Sequence, residues 1–182
     1  SMRNTLVEKD RIAVSRVSHF TGDIKRGDVV VFDDTLGWLA KNETGTSSPL
    51  RKVAEFTGLL PAGGEQTLVK RVIGLGGDHV TCCTADGKLQ VNGVTITEPY
   101  IANNGAASSI TFDVTVPEGS LWVMGDNRSN SADSRYHMGT GQSPYVPVSS
   151  VVGTVQAVIW PTSRWTTDIA HHEVFASVPS AS

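Results

Sequence analysis

At 182 residues, with 39% hydrophobic and 18% charged side chains, the chain is long enough to bury a core and too apolar to be a disordered tail. A net charge of -3 without any dense Lys/Arg run excludes the electrostatic footprint of a nucleic-acid binder, so no nucleic acid is expected as a partner. The 18 Gly and 8 Pro favour short strands and turns over long helices.

The first ten residues, SMRNTLVEKD, carry no apolar leader core, and no stretch reaches the roughly 18–20 apolar residues that span a bilayer. As given, the chain reads as soluble; its abrupt start is equally expected of a piece trimmed of an upstream anchor. Val14–Val17 and Asp28–Phe32 read as short strands separated by a polar turn. Residues 37–64 change character, with a polar loop at Thr44–Ser48 and then Ser48-Pro49 opening LRKVAEF as an N-capped helix; this is expected to be an inserted loop or cap.

EQTLVKRVIGLGGDHVTC is a nearly continuous apolar run broken by a glycine-rich turn. DGKLQVNGVTI follows with Asp-Gly and Asn-Gly hairpin signals. Residues 109–117 alternate, and SLWVMGDN is a buried strand running into the polar loop RSNSADSRYHMGTG. VPVSSVVGTVQAVIWP supplies a closing strand, and residues 163–182 read as a surface tail. The expectation is one mainly β domain over residues 1–182, built of antiparallel sheets with few short helices. The two cysteines, Cys82 and Cys83, are adjacent; they give neither a spaced disulfide framework nor a zinc ligand set, and free thiols are expected.

Three segments carry chemistry. In TLVKRVIG, period-2 alternation sets Leu68, Lys70 and Val72 on one face and Val69, Arg71 and Ile73 on the other. A lysine among apolar neighbours either snorkels to an edge or titrates low enough to act as a general base. GDNRSNSADSR at Gly125–Arg135 packs Asp126, Asn127, Ser131, Asp133 and Arg135 into one loop, which is either a solvated turn or a site. Arg128 falls where a calcium loop requires an oxygen ligand, so no metal is expected. SMRNTL says little alone.

Together these segments resemble the bacterial type I signal peptidases. Ser1-Met2-Arg3-Asn4-Thr5-Leu6 is similar to the family's Ser-Met-x-Pro-Thr-Leu, Arg26–Phe32 to its Arg-Gly-Asp segment, Leu68–Asp78 to its lysine segment, and Gly125–Arg135 to its last box, in the family's order. The likeness runs from residue 1 to about Trp160.

It implies a β-rich signal-peptidase fold. Ser1 is then the nucleophile, Lys70 the general base, and Ser131 the group that orients the amine, while Asp133, Arg135 and Arg71 form a supporting buried ion network. Asp126 and Asn127 read as structural. The family's substrates are preprotein signal peptides with small residues before the cut, bound as an added strand; no cofactor is implied. The resemblance further implies catalysis at the cell membrane, on the extracytoplasmic face. Lipid is a further partner, through an upstream anchor and through an apolar surface to which exposed Met2 and Leu6 would contribute.

There are two departures. Asn4 stands where the family has proline, and the serine that in many relatives precedes the nucleophile by two residues, donating to the oxyanion, falls outside this sequence.

Other readings remain open on sequence. Ser129, Ser131, Asp133 and His137 could serve a Ser/His/Asp hydrolase, and Ser1 could act with its own amine. The Ser/Lys self-cleaving repressor proteases share the chemistry, and a noncatalytic relative could bind extended peptides by strand addition.

Overall fold

The computed structural model describes residues 1–17, 23–39 and 67–181. The helix expected after Pro49, and the expected insertion apart from residues 37–39, lie outside the described residues. Among the described residues, ten strands form two antiparallel sheets: β1 Arg11–Arg16, β2 Val29–Asp33, β3 Thr67–Gly74, β4 His79–Cys82, β5 Leu89–Val91, β6 Val94–Thr95, β7 Phe112–Thr115, β8 Ser120–Met124, β9 Val146–Pro147 and β10 Val151–Trp160. The larger sheet has the order β1-β10-β2-β3-β8-β9 and the smaller β6-β5-β4-β7. Helical structure among the described residues is confined to short 3₁₀ turns. None of these helices is long and apolar enough to cross a membrane.

The β3 segment is buried at every position because it is a central strand, paired with β2 from Val29↔Arg71 to Asp33↔Thr67 and with β8 from Arg71↔Met124. Its alternation sorts the core. Leu68 and Val72 join Val30, Phe32, Leu121 and Val123, while Val69 joins Val29, Val31, Val155 and Val158.

The turn from β3 into the smaller sheet is held by Asp78. Its carboxylate accepts from Arg26 Nε and Nη2, both at 2.7 Å, from the Leu75 amide at 2.8 Å and from Asn92 Nδ2 at 2.9 Å. Burial alone would raise the Asp78 pKa, but these donors outweigh it and hold the acid below its usual value. The Asn-Gly signal is realised in the β5–β6 hairpin, where Asn92 and Gly93 take φ of 50° and 81°.

Two expectations are corrected, and a third gains detail. Residues 163–181 run over the surface as a strap, held at the buried side chains Ile169, Phe175 and Val178. The strap is also bonded to the sheets, with Pro179 O accepting from Arg26 and Asn92 and the His171 amide donating to Gly27 O. An apolar residue every few positions in a segment with no regular period is enough to pin such a strap. Cys82 and Cys83 are joined as a disulfide rather than free, where β4 ends and the chain turns.

Met2 and Leu6 are not exposed; they are 3% and 5% accessible. They pack with Ile12, Val29, Val69 and Ile169 because the Met2–Leu6 turn folds its apolar side chains onto the sheet.

Candidate active site

The N-terminal turn closes when Met2 O accepts from the Thr5 amide at 3.1 Å and the Leu6 amide at 2.9 Å. Asn4 sits at φ 92°, a conformation closed to proline, whose ring holds φ near -65°. The departure from the family box at this position therefore accompanies a turn that proline could not make. The turn delivers Ser1 to β3: Lys70 Nζ donates to Ser1 Oγ at 2.5 Å.

Lys70 is only 3% accessible. Burial pulls its pKa down from 10.5 to about 8; Asp133 and Asp126 oppose that fall, and Arg135 adds to it. A cation so placed loses its proton at far lower cost than a surface lysine, and the neutral amine is then the acceptor that a serine hydroxyl needs.

The loop after β8 fixes Ser1 from the other side. The Asn127 amide donates to Ser1 O at 2.9 Å. Gly125 packs so closely that a side chain there would meet Ser131 Oγ at 2.2 Å and Ser1 O at 2.6 Å, which is why this position takes glycine. Asp133 holds the loop in turn, accepting from the Gly125 amide at 3.0 Å and from Arg135 Nε and Nη2, both at 2.8 Å. Burial would raise the Asp133 pKa, yet the hydrogen bonds and charge of Arg135, with the Gly125 amide, outweigh it and keep the acid ionised.

Of the expected residues, Ser1 and Lys70 meet directly and Asp133 pairs with Arg135, while two assignments change. Arg71 does not join Asp133 and Arg135. Its Nε and Nη2 make a fork onto Asp126 at 2.8 and 2.7 Å, and Thr5 Oγ1 donates to the same carboxylate. Alternation explains this, because Arg71 leaves β3 on the face opposite to Lys70, where Asp126 waits. Asp126 is thus a partner to the site's scaffold.

Ser131 is buried beside Gly125, but its Oγ makes no hydrogen bond among the described residues, to Lys70 or to any other group.

Ser129, Ser131, Asp133 and His137 do not build a Ser/His/Asp arrangement. His137 stacks on Trp38 with ring centroids 4.4 Å apart and its Nδ1 contacts Gln142, while the Asp133 oxygens are taken by Arg135 and Gly125. Among the described residues no three His, Cys, Asp or Glu side chains are grouped to hold a metal.

Sequence reasoning left Arg128, Glu98 and Tyr100 unassigned. Arg128 Nη1 donates to Glu98 Oε1 at 2.9 Å and Nη2 to Oε2, with both side chains 2% accessible. The available signal was Arg128 itself, since an arginine beside a buried strand needs a carboxylate.

A cleft of about 620 Å³ opens beside Ser1, lined by Met2, Leu6, Val7, Asn127 and Asn130 among others. That size suits a few residues of extended peptide.

Known proteins match this chain over most of its length. A family model described as signal peptidase, peptidase S26, matches residues 1–160. A probable signal peptidase I of Mycobacterium leprae is 39% identical over 182 residues, covering 86% of this chain and 62% of that protein. Signal peptidase I of Mycobacterium tuberculosis is 39% identical over 175 residues, covering 86% and 59%. A probable signal peptidase I-2 of Synechocystis sp. is 32% identical over 184 residues, covering 100% and 70%. The chain thus spans about three fifths of the length of its mycobacterial relatives.

Proposed function

The chain belongs to the signal peptidase family, peptidase S26, and from that premise we propose that it is a serine endopeptidase that removes signal peptides from preproteins by Ser/Lys catalysis. The observation that carries the reading is the 2.5 Å contact between Lys70 Nζ and Ser1 Oγ inside a buried, charge-compensated setting.

Neutral Lys70 takes the proton as Ser1 Oγ bonds to the scissile carbonyl carbon, and the resulting ammonium returns that proton to the departing amine when the C–N bond breaks. The signal peptide remains as an ester on Ser1. Water, deprotonated by the same amine, then attacks the ester and frees the carboxylate and the serine. With a pKa of about 8, roughly one lysine in ten is neutral at pH 7, enough to run the cycle without a cofactor.

The preferred substrate has small residues at the first and third positions before the cut, laid extended in the cleft by main-chain pairing. The catalytic face operates at the extracytoplasmic side of the membrane. The lipid-facing surface is not Met2 and Leu6 but Ile159, Trp160 and Trp165, which are 43%, 49% and 62% accessible. Indole rings with a neighbouring arginine suit the headgroup region, and Arg11 lies over Trp160 at 5.7 Å. Arg164 ties this surface to Asp10, a wall residue of the cleft, at 2.8 Å.

We further propose that residues 1–182 form one catalytic unit with an insertion across about 37–64. The test is cleavage of a signal-sequence peptide ending in Ala-x-Ala, in mild detergent, with the cut mapped by mass spectrometry. Cleavage after the second alanine supports the reading, and binding without cleavage favours a peptide-binding module.

A further inference from the structure

Behind the Ser1–Lys70 pair lies a second buried cluster, made of Glu98, Tyr100 and Arg128. Tyr100 is 3% accessible and its Oη donates to Glu98 Oε2 at 2.7 Å. The Arg71 guanidinium lies over its ring, 4.0 Å from the centroid, and that of Arg128 is 6.0 Å away. A guanidinium with no water around it is at the strong end of cation–π attraction. Burial, and then the Glu98 carboxylate, hold the phenol neutral well above its usual range, so Oη stays a donor wherever a lysine titrates.

The two arginines serve different halves of the site. Arg71 adjoins Lys70 in β3 and grips Asp126. Arg128 Nε donates to Gly125 O at 2.9 Å, and its Nη1 donates to Ala107 O at 2.9 Å as well as to Glu98. Gly125 and Asn127 are the residues that seat Ser1. The Ala102 amide also donates to Asp126 O at 3.0 Å. The strand that carries the base and the loop that seats the nucleophile therefore meet at one phenol, on a segment arriving from the smaller sheet.

We infer that Tyr100, with Glu98, is a positioning residue that sets the separation of Ser1 and Lys70 by holding Arg71 on one side and Arg128 on the other. The inference rests on the Ser/Lys reading above. Lys70 feels Asp133, Asp126 and Arg135; Asp126 is gripped by the Arg71 guanidinium that Tyr100 braces, and Arg135 donates to the main-chain O of Arg128 at 3.1 Å. Loosening the brace shifts both the distance and the field at the amine.

The test compares Tyr100→Leu, Tyr100→Phe and Glu98→Gln with the parent chain. One readout is kcat and KM on the Ala-x-Ala peptide; the other is the Lys70 titration followed directly by heteronuclear NMR of its side chain. Tyr100→Leu is expected to lower kcat about 10- to 100-fold with KM within about twofold, the scale of a small misplacement of reacting groups. It also moves the Lys70 titration upward as water enters.

Tyr100→Phe keeps the ring on Arg71 and loses only about two- to fivefold. A Tyr100→Leu chain with native near-ultraviolet circular dichroism, parental kcat and an unshifted Lys70 titration overturns the inference. If that variant does not fold, Tyr100→Phe and Glu98→Gln chains matching the parent in both readouts overturn it. A parent chain that cleaves nothing refutes the protease reading instead, and the Lys70 titration still decides the brace.

Discussion

Lys70 Nζ lies 2.5 Å from Ser1 Oγ across 69 residues of chain, brought there by the pairing of β3 with β2 and β8 and by the Met2–Leu6 turn. Holding a lysine at 3% accessibility works against the fold whenever the amine is charged. The folded pKa, about 8, lies below the ordinary 10.5, so the unfolded chain binds the proton more readily. Stability is therefore full above pH 10.5, falls as pH drops toward 8, and stays reduced below that. Lys70→Met should raise the melting temperature by several degrees at pH 6 and by much less at pH 10, as read by calorimetry.

Gly125→Ala should cost activity more than structure. The new methyl would lie 2.2 Å from Ser131 Oγ and 2.6 Å from Ser1 O. Ser1 O cannot yield without carrying Oγ away from Lys70. We expect about a 10²-fold loss in kcat/KM with an unchanged far-ultraviolet spectrum.

Asp133→Asn would leave the Arg135 guanidinium, 2% accessible, facing a neutral partner. Breaking such a buried pair costs about 3–5 kcal/mol, measurable by urea unfolding. The parent should also lose stability in acid. Asp133 titrates below 3.8 when folded, so its contribution is present above that pH and disappears as pH falls through its lowered value. The Asn variant should show a flatter profile in that range.

Trp160→Ala with Trp165→Ala should weaken sedimentation with anionic vesicles about tenfold or more while leaving peptide cleavage in detergent within about twofold. Equal losses in both assays would place these rings in catalysis instead.

The legible parts of the molecule were those governed by local pattern. The β3 alternation, the Asn92-Gly93 hairpin and the entry of β8 into the Gly125–Arg135 loop are short-range signals, and the strands lie where they point. Pairing among like groups was not legible. The loop offers both Asp126 and Asp133, and only the opposed faces of Lys70 and Arg71 decide that Arg71 takes the first. Met2 and Leu6 were misread because a short turn after Ser1 gives no sign of which way its apolar side chains fold. Tyr100 left no trace at all: its ring, in the turn after β6, meets Arg71 of β3 through a contact that no spacing records. The anchoring of the closing strap was not legible because short 3₁₀ turns carry no period.

The central claim is that Lys70, as a neutral amine, is the base for Ser1. The most direct measurement is kcat/KM on the Ala-x-Ala peptide from pH 6 to pH 10, for the parent chain and for Lys70→Ala, since that ratio reports the essential groups of the free enzyme. With Lys70 as the base, the rate should climb with pH and level off above about 8, the pKa to which burial lowers Lys70, with Lys70→Ala at background throughout. A rate that levels off in the histidine range, or one that survives Lys70→Ala, would contradict it.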